Sequence, residues 1–291
     1  LLDCMGRKYL LSLFVLAFPV LCRGDDLQTT ELLEASRNGA ILVAAHRGGY
    51  SNDKADQAPE NTLANLAIAI RKGYDVYETD IQRTSDGVFV VVHDPTLDRE
   101  TNATGKAKDL TLAELKALKK RYRDGSVSNE SVATLEDLLL AGRGKILFKP
   151  DLKPGIIDHF DDLARLVSKL GMTDQVFIRT VFKDTKKIQA YFESGTPKVE
   201  VMIKTRDLSE LRHVITTFHP KAVHVDLVKD EPVSASTSEA IRFAVKSEVL
   251  VQTHIYKDTK QIEELAELGV RMLHTNYPEE TLEYLVENDW R

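Results

Sequence analysis

Short apolar runs alternate with helix-patterned stretches from about residue 40 to the end of the chain. The runs are centred near residues 42, 77, 147, 177, 202, 224, 252 and 272. They are rich in Val and Ile and lack polar alternation, the pattern of strands buried on both faces of a parallel sheet. The stretches between them carry helix punctuation. In Thr62–Lys72, Leu63, Leu66, Ala67 and Ile70 share one side and Gly73 closes the segment. Eight such units in about 250 residues match the size and rhythm of a (β/α)8 TIM barrel in the α/β class. An open doubly wound sheet alternates in the same way, and periodicity does not separate the two.

One segment breaks the rhythm. Asp86-Gly87 signals a hairpin turn, with Val88–Val92 as the returning strand. Residues 95–133 then read as a small inserted subdomain after the second strand. Within it, Leu112–Arg121 is predicted as a helix opened by a Thr111/Glu114 capping box. Thr134 starts the next helix, over Leu135–Leu140. Neither a repeat nor a linker interrupts the remainder, so residues 25–291 are expected to form one domain.

The amino-terminal end has a different composition. Arg7 and Lys8 precede the apolar stretch Tyr9–Leu21, and Cys22-Arg23-Gly24 lead into Asp25. This is the pattern of a secretory signal over residues 1–24, cut after Gly24, with a secreted or periplasmic product expected. A lipid anchor on Cys22 fits less well, because Leu21 is bulky for that site. Both cysteines lie in this segment, so the processed chain is expected to use neither disulfides nor cysteine chemistry. The net charge of −6 argues against nucleic acid as a partner. The apolar runs are too short for stable membrane insertion.

In a TIM barrel the chemistry sits at the carboxyl ends of the strands. Here those ends carry His46-Arg47, Glu78-Thr79-Asp80, His93-Asp94 and Asp151-Leu152-Lys153. Glu78 and Asp80 are two apart and point to one face of a strand. With Asp151 they make an all-oxygen donor set, which suits one hard divalent cation, Ca2+ or Mg2+. The bland alternative is a solvated acidic strand end, or salt bridging to Lys153 and Arg83. His46 and His93 suit a pair in which one imidazole removes a proton and the other returns one. Arg47 and Lys153 suit a phosphate, unless they pair with Glu60 or Asp94. Acid, base, hard metal and phosphate cations together indicate phosphodiester cleavage. Arg179, Lys204, His224, Asp226, His254 and His274 are weaker candidates at other strand ends.

At these residues the chain resembles the glycerophosphodiester phosphodiesterase family. The similarity lies in HRG at 46–48, PENT at 59–62 and ETDIQRTSDGVFVVVHDPTLDRETNATG at 78–105. Weaker matches are TLEDLL at 134–139, DLK at 151–153 and TNYP at 275–278. The resemblance implies a barrel with an insertion at 95–133, hydrolysis of a small-molecule glycerophosphodiester to an alcohol and glycerol phosphate, and one bound divalent cation. It implies metal ligands at Glu78, Asp80 and Asp151, acid–base roles for His46 and His93, and phosphate contacts from Arg47 and Lys153. Glu60 is expected to orient Arg47, and Asn61 to cap the first helix. Two departures stand out. Asp151 occupies a position where the family usually has Glu. Gln252-Thr253-His254 stands where the family often has a tryptophan, and the sole tryptophan is Trp290. A phospholipase-like diesterase acting on lipids or lysolipids is one alternative. A non-catalytic secreted barrel that binds phosphodiesters is the other.

Overall fold

A computed structural model describes residues 29–291 apart from 52, 54, 55, 230 and 256–258. The expected signal segment and Cys22 lie outside the described residues. A helix, α1 (Thr29–Arg37), leads into the first strand, β1 (Leu42–Ala45). Then follow α2 (Leu63–Lys72), β2 (Val76–Arg83), β3 (Phe89–Val91), α3 (Leu112–Lys116), β4 (Lys119–Arg121), β5 (Val127–Ser131) and α4 (Leu135–Ala141). The second half runs β6 (Leu147–Leu152), α5 (Phe160–Lys169), β7 (Phe177–Val181), α6 (Thr185–Glu193), β8 (Glu200–Thr205), α7 (Leu208–Phe218) and β9 (Ala222–Val225). It ends with α8 (Ala235–Lys246), β10 (Leu250–Ile255), α9 (Thr259–Glu267), β11 (Met272–Thr275) and α10 (Pro278–Glu287).

The parallel strands follow in the order β1, β2, β6, β7, β8, β9, β10, β11, and β1 pairs with both β2 and β11. That double pairing closes the sheet. It decides for the TIM barrel over the open sheet, because an open sheet leaves its end strands with one neighbour each. The expected hairpin is present: β3 pairs antiparallel with β2, and Gly87 takes a φ of +87° at the turn.

Alternation along the strands makes two apolar layers. Outward residues such as Val43, Tyr77, Phe148, Ile178, Val223 and Leu273 pack beneath the helices. Inward residues at the amino ends, among them Leu42, Val76, Leu147, Phe177, Met202 and Met272, fill the lower barrel, and Leu32 of α1 joins them. Full burial of side chains of this kind contributes about 1.5–3 kcal/mol each.

The predicted helix over 112–121 is shorter than expected. α3 stops at Lys116, and Lys119–Arg121 forms a strand paired antiparallel with β5. Lys120 is fully buried against Glu100 while its neighbours remain partly exposed, an in–out alternation that a strand supplies. This tertiary demand overrides the helix propensity of Lys and Arg. Asn61 also departs from its expected role. Thr62 caps α2, its hydroxyl accepting from Asn65 N. Asn61 instead donates from Nδ2 to Asp80 Oδ2 at 3.2 Å and accepts from the Thr79 hydroxyl at 2.8 Å.

Candidate active site

Two residues above the apolar floor, the barrel interior becomes polar. Its inward positions are Glu78, Lys149, His224, Gln252 and His274, all buried. Another step up brings Asp80 opposite Asp151, Asp151 opposite Arg179, and His254 opposite His274. Removing charges from water costs several kcal/mol per ion, so so many titratable groups inside one barrel point to function. A cavity of about 520 Å³ lined by Arg37, Glu248 and Arg271 lies at the opposite ends of the strands. Here the buried charges mark the site better than concavity does.

The turn after β1, His46–Gly48, is built by backbone conformation. Arg47 has φ +53° and Gly48 φ +87°. A Cβ on Gly48 would lie 1.4 Å from Asn65 Oδ1, so glycine is required there. The turn aims the Arg47 N–H at Glu78 Oε2, at 2.7 Å. It also presents His46, whose Nδ1–H donates to Asn276 Oδ1 at 2.6 Å. That bond sets Nε2 3.9 Å from Glu78 Oε2. His46 lies edge-on to His254 and His274, with ring centroids 5.3 and 4.8 Å away.

His93 follows β3 and is held at both ring nitrogens. Its Nδ1–H donates to Asp94 Oδ1 at 2.6 Å, and the Arg47 Nη2–H donates to its Nε2 at 2.6 Å. Arg47, next to His46 in the turn, thus reaches His93 with its guanidinium. Its guanidinium also reaches Glu60 Oε1 at 3.1 Å and lies 3.7 Å from Asp80. Glu60 thus orients Arg47, as the motif implied. Arg99 braces both carboxylates, donating to Glu60 at 2.6 Å and to Asp94 at 2.6 and 3.0 Å. Burial would raise the Glu60 carboxyl, but Arg99 and Arg47 outweigh it and hold it at about 2. Arg99 and His93 likewise hold Asp94 well below the usual carboxylate range.

The three carboxylates expected to bind metal each carry a cation or a donor. Lys153 lies 2.8 Å from Asp80, and Arg179 lies 2.6 Å from Asp151. Lys149 is 3.1 Å from the other oxygen of Asp151. The bland pairing with Arg83 is not made, since Arg83 instead reaches His159 and Asp162. Burial pushes the Asp151 carboxyl up, against the pull of Arg179 and Lys149. Burial would do the same to Glu78, but His46 and His274 hold it well below the ordinary value. Glu78 Oε1 is buried without a hydrogen-bond donor, and Asp151 Oδ1 has the Lys149 ammonium beside it. The donor types of Glu78, Asp80 and Asp151, all oxygen, suit a hard divalent cation, but their oxygens do not gather within 4.8 Å of one another. Among the described residues, the ligand atoms that come within 4.8 Å of one another belong to His46, Glu78 and His274, and to His93, Asp94 and Glu100.

All seven predicted residues therefore reach one rim. The sequence reading passed over Lys149, Arg99, Glu100, Lys120 and Asn276, and ranked His274 low. A signal existed for two of them: Lys149 precedes Asp151 by two residues and Asn276 follows His274 by two, which puts each on the same inward face.

A family model for the glycerophosphoryl diester phosphodiesterase family matches residues 46–282. A glycerophosphodiester phosphodiesterase of Bacillus subtilis is 27% identical over 94% of this chain and 97% of its own length. One from Caldanaerobacter subterraneus subsp. tengcongensis is 34% identical over 53% of this chain and 65% of its own length, just under two thirds. A glycerophosphoryl diester phosphodiesterase from Parabacteroides distasonis superposes with a TM-score of 0.75 at 20% identity, covering 90% of this chain and 93% of that one. An Oleispira antarctica phosphodiesterase, solved with the product sn-glycerol-3-phosphate, gives 0.68 at 19% identity, covering 86% and 99%. At such identities the structural likeness speaks for the barrel alone. The family match runs from the His46 turn through β11, across every element that carries the buried charges, and the chain belongs to the glycerophosphoryl diester phosphodiesterase family.

Proposed function

We propose that the protein hydrolyses glycerophosphodiesters to an alcohol and glycerol phosphate, with His46 and His93 as a general acid–base pair. The observation that carries this reading is the separate fixation of the two imidazoles, with Arg47 of the His46 turn bonded to His93. Asn276 fixes the tautomer of His46, and Asp94 fixes that of His93. Arg47 donates to the Nε2 of His93, and the Nε2 of His46 lies 3.9 Å from Glu78 Oε2. Such pairs contribute about 10²–10⁴-fold each to rate.

Arg47 and Lys153 bind the phosphate oxygens, giving up part of their hold on Glu60 and Asp80. One histidine takes the proton from the nucleophile, either the neighbouring glycerol hydroxyl or a water. A new P–O bond forms as the P–O bond to the alcohol breaks, and the other histidine donates the proton that the alcohol leaves with. Attack by the glycerol hydroxyl gives a cyclic phosphate that water then opens. Glu78, Asp80 and Asp151 would hold one Ca2+ or Mg2+, which supplies neutralisation of the diester's charge.

Release of choline from glycerophosphocholine, measured with and without chelator, tests the proposal. Loss of turnover on chelation, restored by Ca2+ or Mg2+, is expected. Full activity in His93→Ala would refute the assignment. We also retain an extracytoplasmic location as a proposal, supported by the composition of residues 1–24; the amino-terminal sequence of the purified protein checks it.

A further inference from the structure

We propose that His46, Glu78 and His274 form a second metal site, selective for a borderline cation such as Zn2+, and that filling it arrests the enzyme. The arrest rests on the acid–base role proposed for His46; the binding does not.

The donor atoms are nearly in place. His274 Nε2 lies 3.4 Å and His46 Nε2 3.9 Å from Glu78 Oε2. Two ligands on a tetrahedral zinc ion, each about 2.0–2.1 Å from it, stand about 3.3 Å apart. The donor atoms of all three residues lie within 4.8 Å of one another, so the side chains need to close by up to about 1.5 Å to reach that spacing. The donor types also separate this site from the carboxylate set. Two imidazoles and one carboxylate suit zinc, whereas the all-oxygen set of Glu78, Asp80 and Asp151 suits a hard ion.

Two further observations point to a ligand. His46 Nδ1–H is taken up by Asn276, the outer bond that a metal-ligating histidine commonly makes, and it directs the Nε2 lone pair inward. His274 is 4% exposed; its Nδ1 has no hydrogen-bond partner, its Nε2 faces Glu78 Oε2 at 3.4 Å, and Glu78 Oε1 has no donor. The other close group, His93 with Asp94 and Glu100, lacks this readiness. Arg99 occupies Asp94, and Glu100 is taken by Lys120 and two backbone N–H groups. Because Glu78 belongs to both donor sets, a hard ion and Zn2+ compete for the site.

The test titrates the metal-free protein with Zn2+ by calorimetry, and with Co2+ by its visible absorption. One ion per chain is expected, with weaker Zn2+ binding as Ca2+ or Mg2+ is raised. His274→Ala should weaken binding at least about 10-fold, and Asn276→Ala about 10–100-fold. His93→Ala should bind Zn2+ as the unaltered protein does. Should His274→Ala fail to fold, Asn276→Ala and the Co2+ spectrum decide. Unchanged affinity in the folded variants, or no stoichiometric binding, overturns the proposal. A protein that binds Zn2+ at His274 but cleaves no diester overturns the proposed function and leaves this site standing. Turnover without such binding does the reverse.

Discussion

Glu100 and Lys120 form an ion pair 2.7 Å long from which solvent is wholly excluded. The second Glu100 oxygen accepts the backbone N–H groups of His93 and Asp94 at 2.9 and 2.7 Å. Lys120 belongs to β4, so the β4–β5 hairpin holds the backbone from which His93 projects. Around it Val90, Val92, Leu97, Ala107, Leu115 and Val132 make a separate small apolar cluster.

Removing the cation strands a buried carboxylate. Lys120→Met is expected to cost about 3–5 kcal/mol in urea unfolding. The double change Glu100→Gln with Lys120→Met should recover part of that loss, because the uncompensated charge is gone. A Lys120→Met protein within about 1 kcal/mol of the original would show that the pair is better hydrated than the structure indicates.

Loss of either imidazole should be costly to rate. His46→Ala and His93→Ala are each expected to lower kcat by about 10²–10⁴-fold. Asn276→Ala should have a smaller effect, since it retains the histidine and removes only the bond that fixes its tautomer. Initial rates on glycerophosphocholine at saturating substrate check the order.

Gly48→Ala should damage both stability and activity. Its φ of +87° suits glycine, and the new methyl would meet Asn65 Oδ1 at 1.4 Å and the Tyr77 ring at 2.6 Å. Backbone strain costs about 1–3 kcal/mol and overpacking a similar amount. We expect at least about 2 kcal/mol lost in chemical unfolding. Turnover should fall as well, because His46 and Arg47 belong to the same turn.

Stability should fall as the solution is acidified from neutral. Burial, reinforced by nearby cations, pushes the His254 imidazole from 6.5 down to about 3, and drives His224 and His274 well below 6.5. Unfolded, each histidine takes up a proton near 6.5; folded, each resists it. The unfolded state thus binds more protons below that pH. Stability fully present above about pH 6.5 is lost as pH falls, by about 1.4 kcal/mol per pH unit for each histidine. The Glu60 contribution is lost only below 4.5, as pH falls toward about 2, so the histidines dominate the upper window. Urea unfolding at pH 7.5 and 5.5 measures this, and equal stabilities would falsify it.

The strand and helix pattern was legible because burial on both faces of a parallel strand leaves a continuous apolar run. The His46, Glu78, His93 and Asp151 neighbourhoods were legible because each follows such a run directly. The β4–β5 hairpin was misread, although Asp124-Gly125 carries the same turn signal as Asp86-Gly87. The Leu112–Lys116 helical pattern ran on into Lys119–Arg121, where intrinsic propensity favours helix and only the contact with Glu100 requires a strand.

What the chain determines alone is local: which segments are strands, which polar residues end them, and on which face each side chain falls. What the tertiary structure decides is partnership. Closure of β1 onto β2 and β11 brings His46 beside Glu78, His274 and Asn276, residues up to 230 positions apart in sequence. Hydrophobic periodicity is a property of neighbouring residues. The pairing of charges inside a closed barrel depends on strand register around the whole ring, which sequence spacing does not encode.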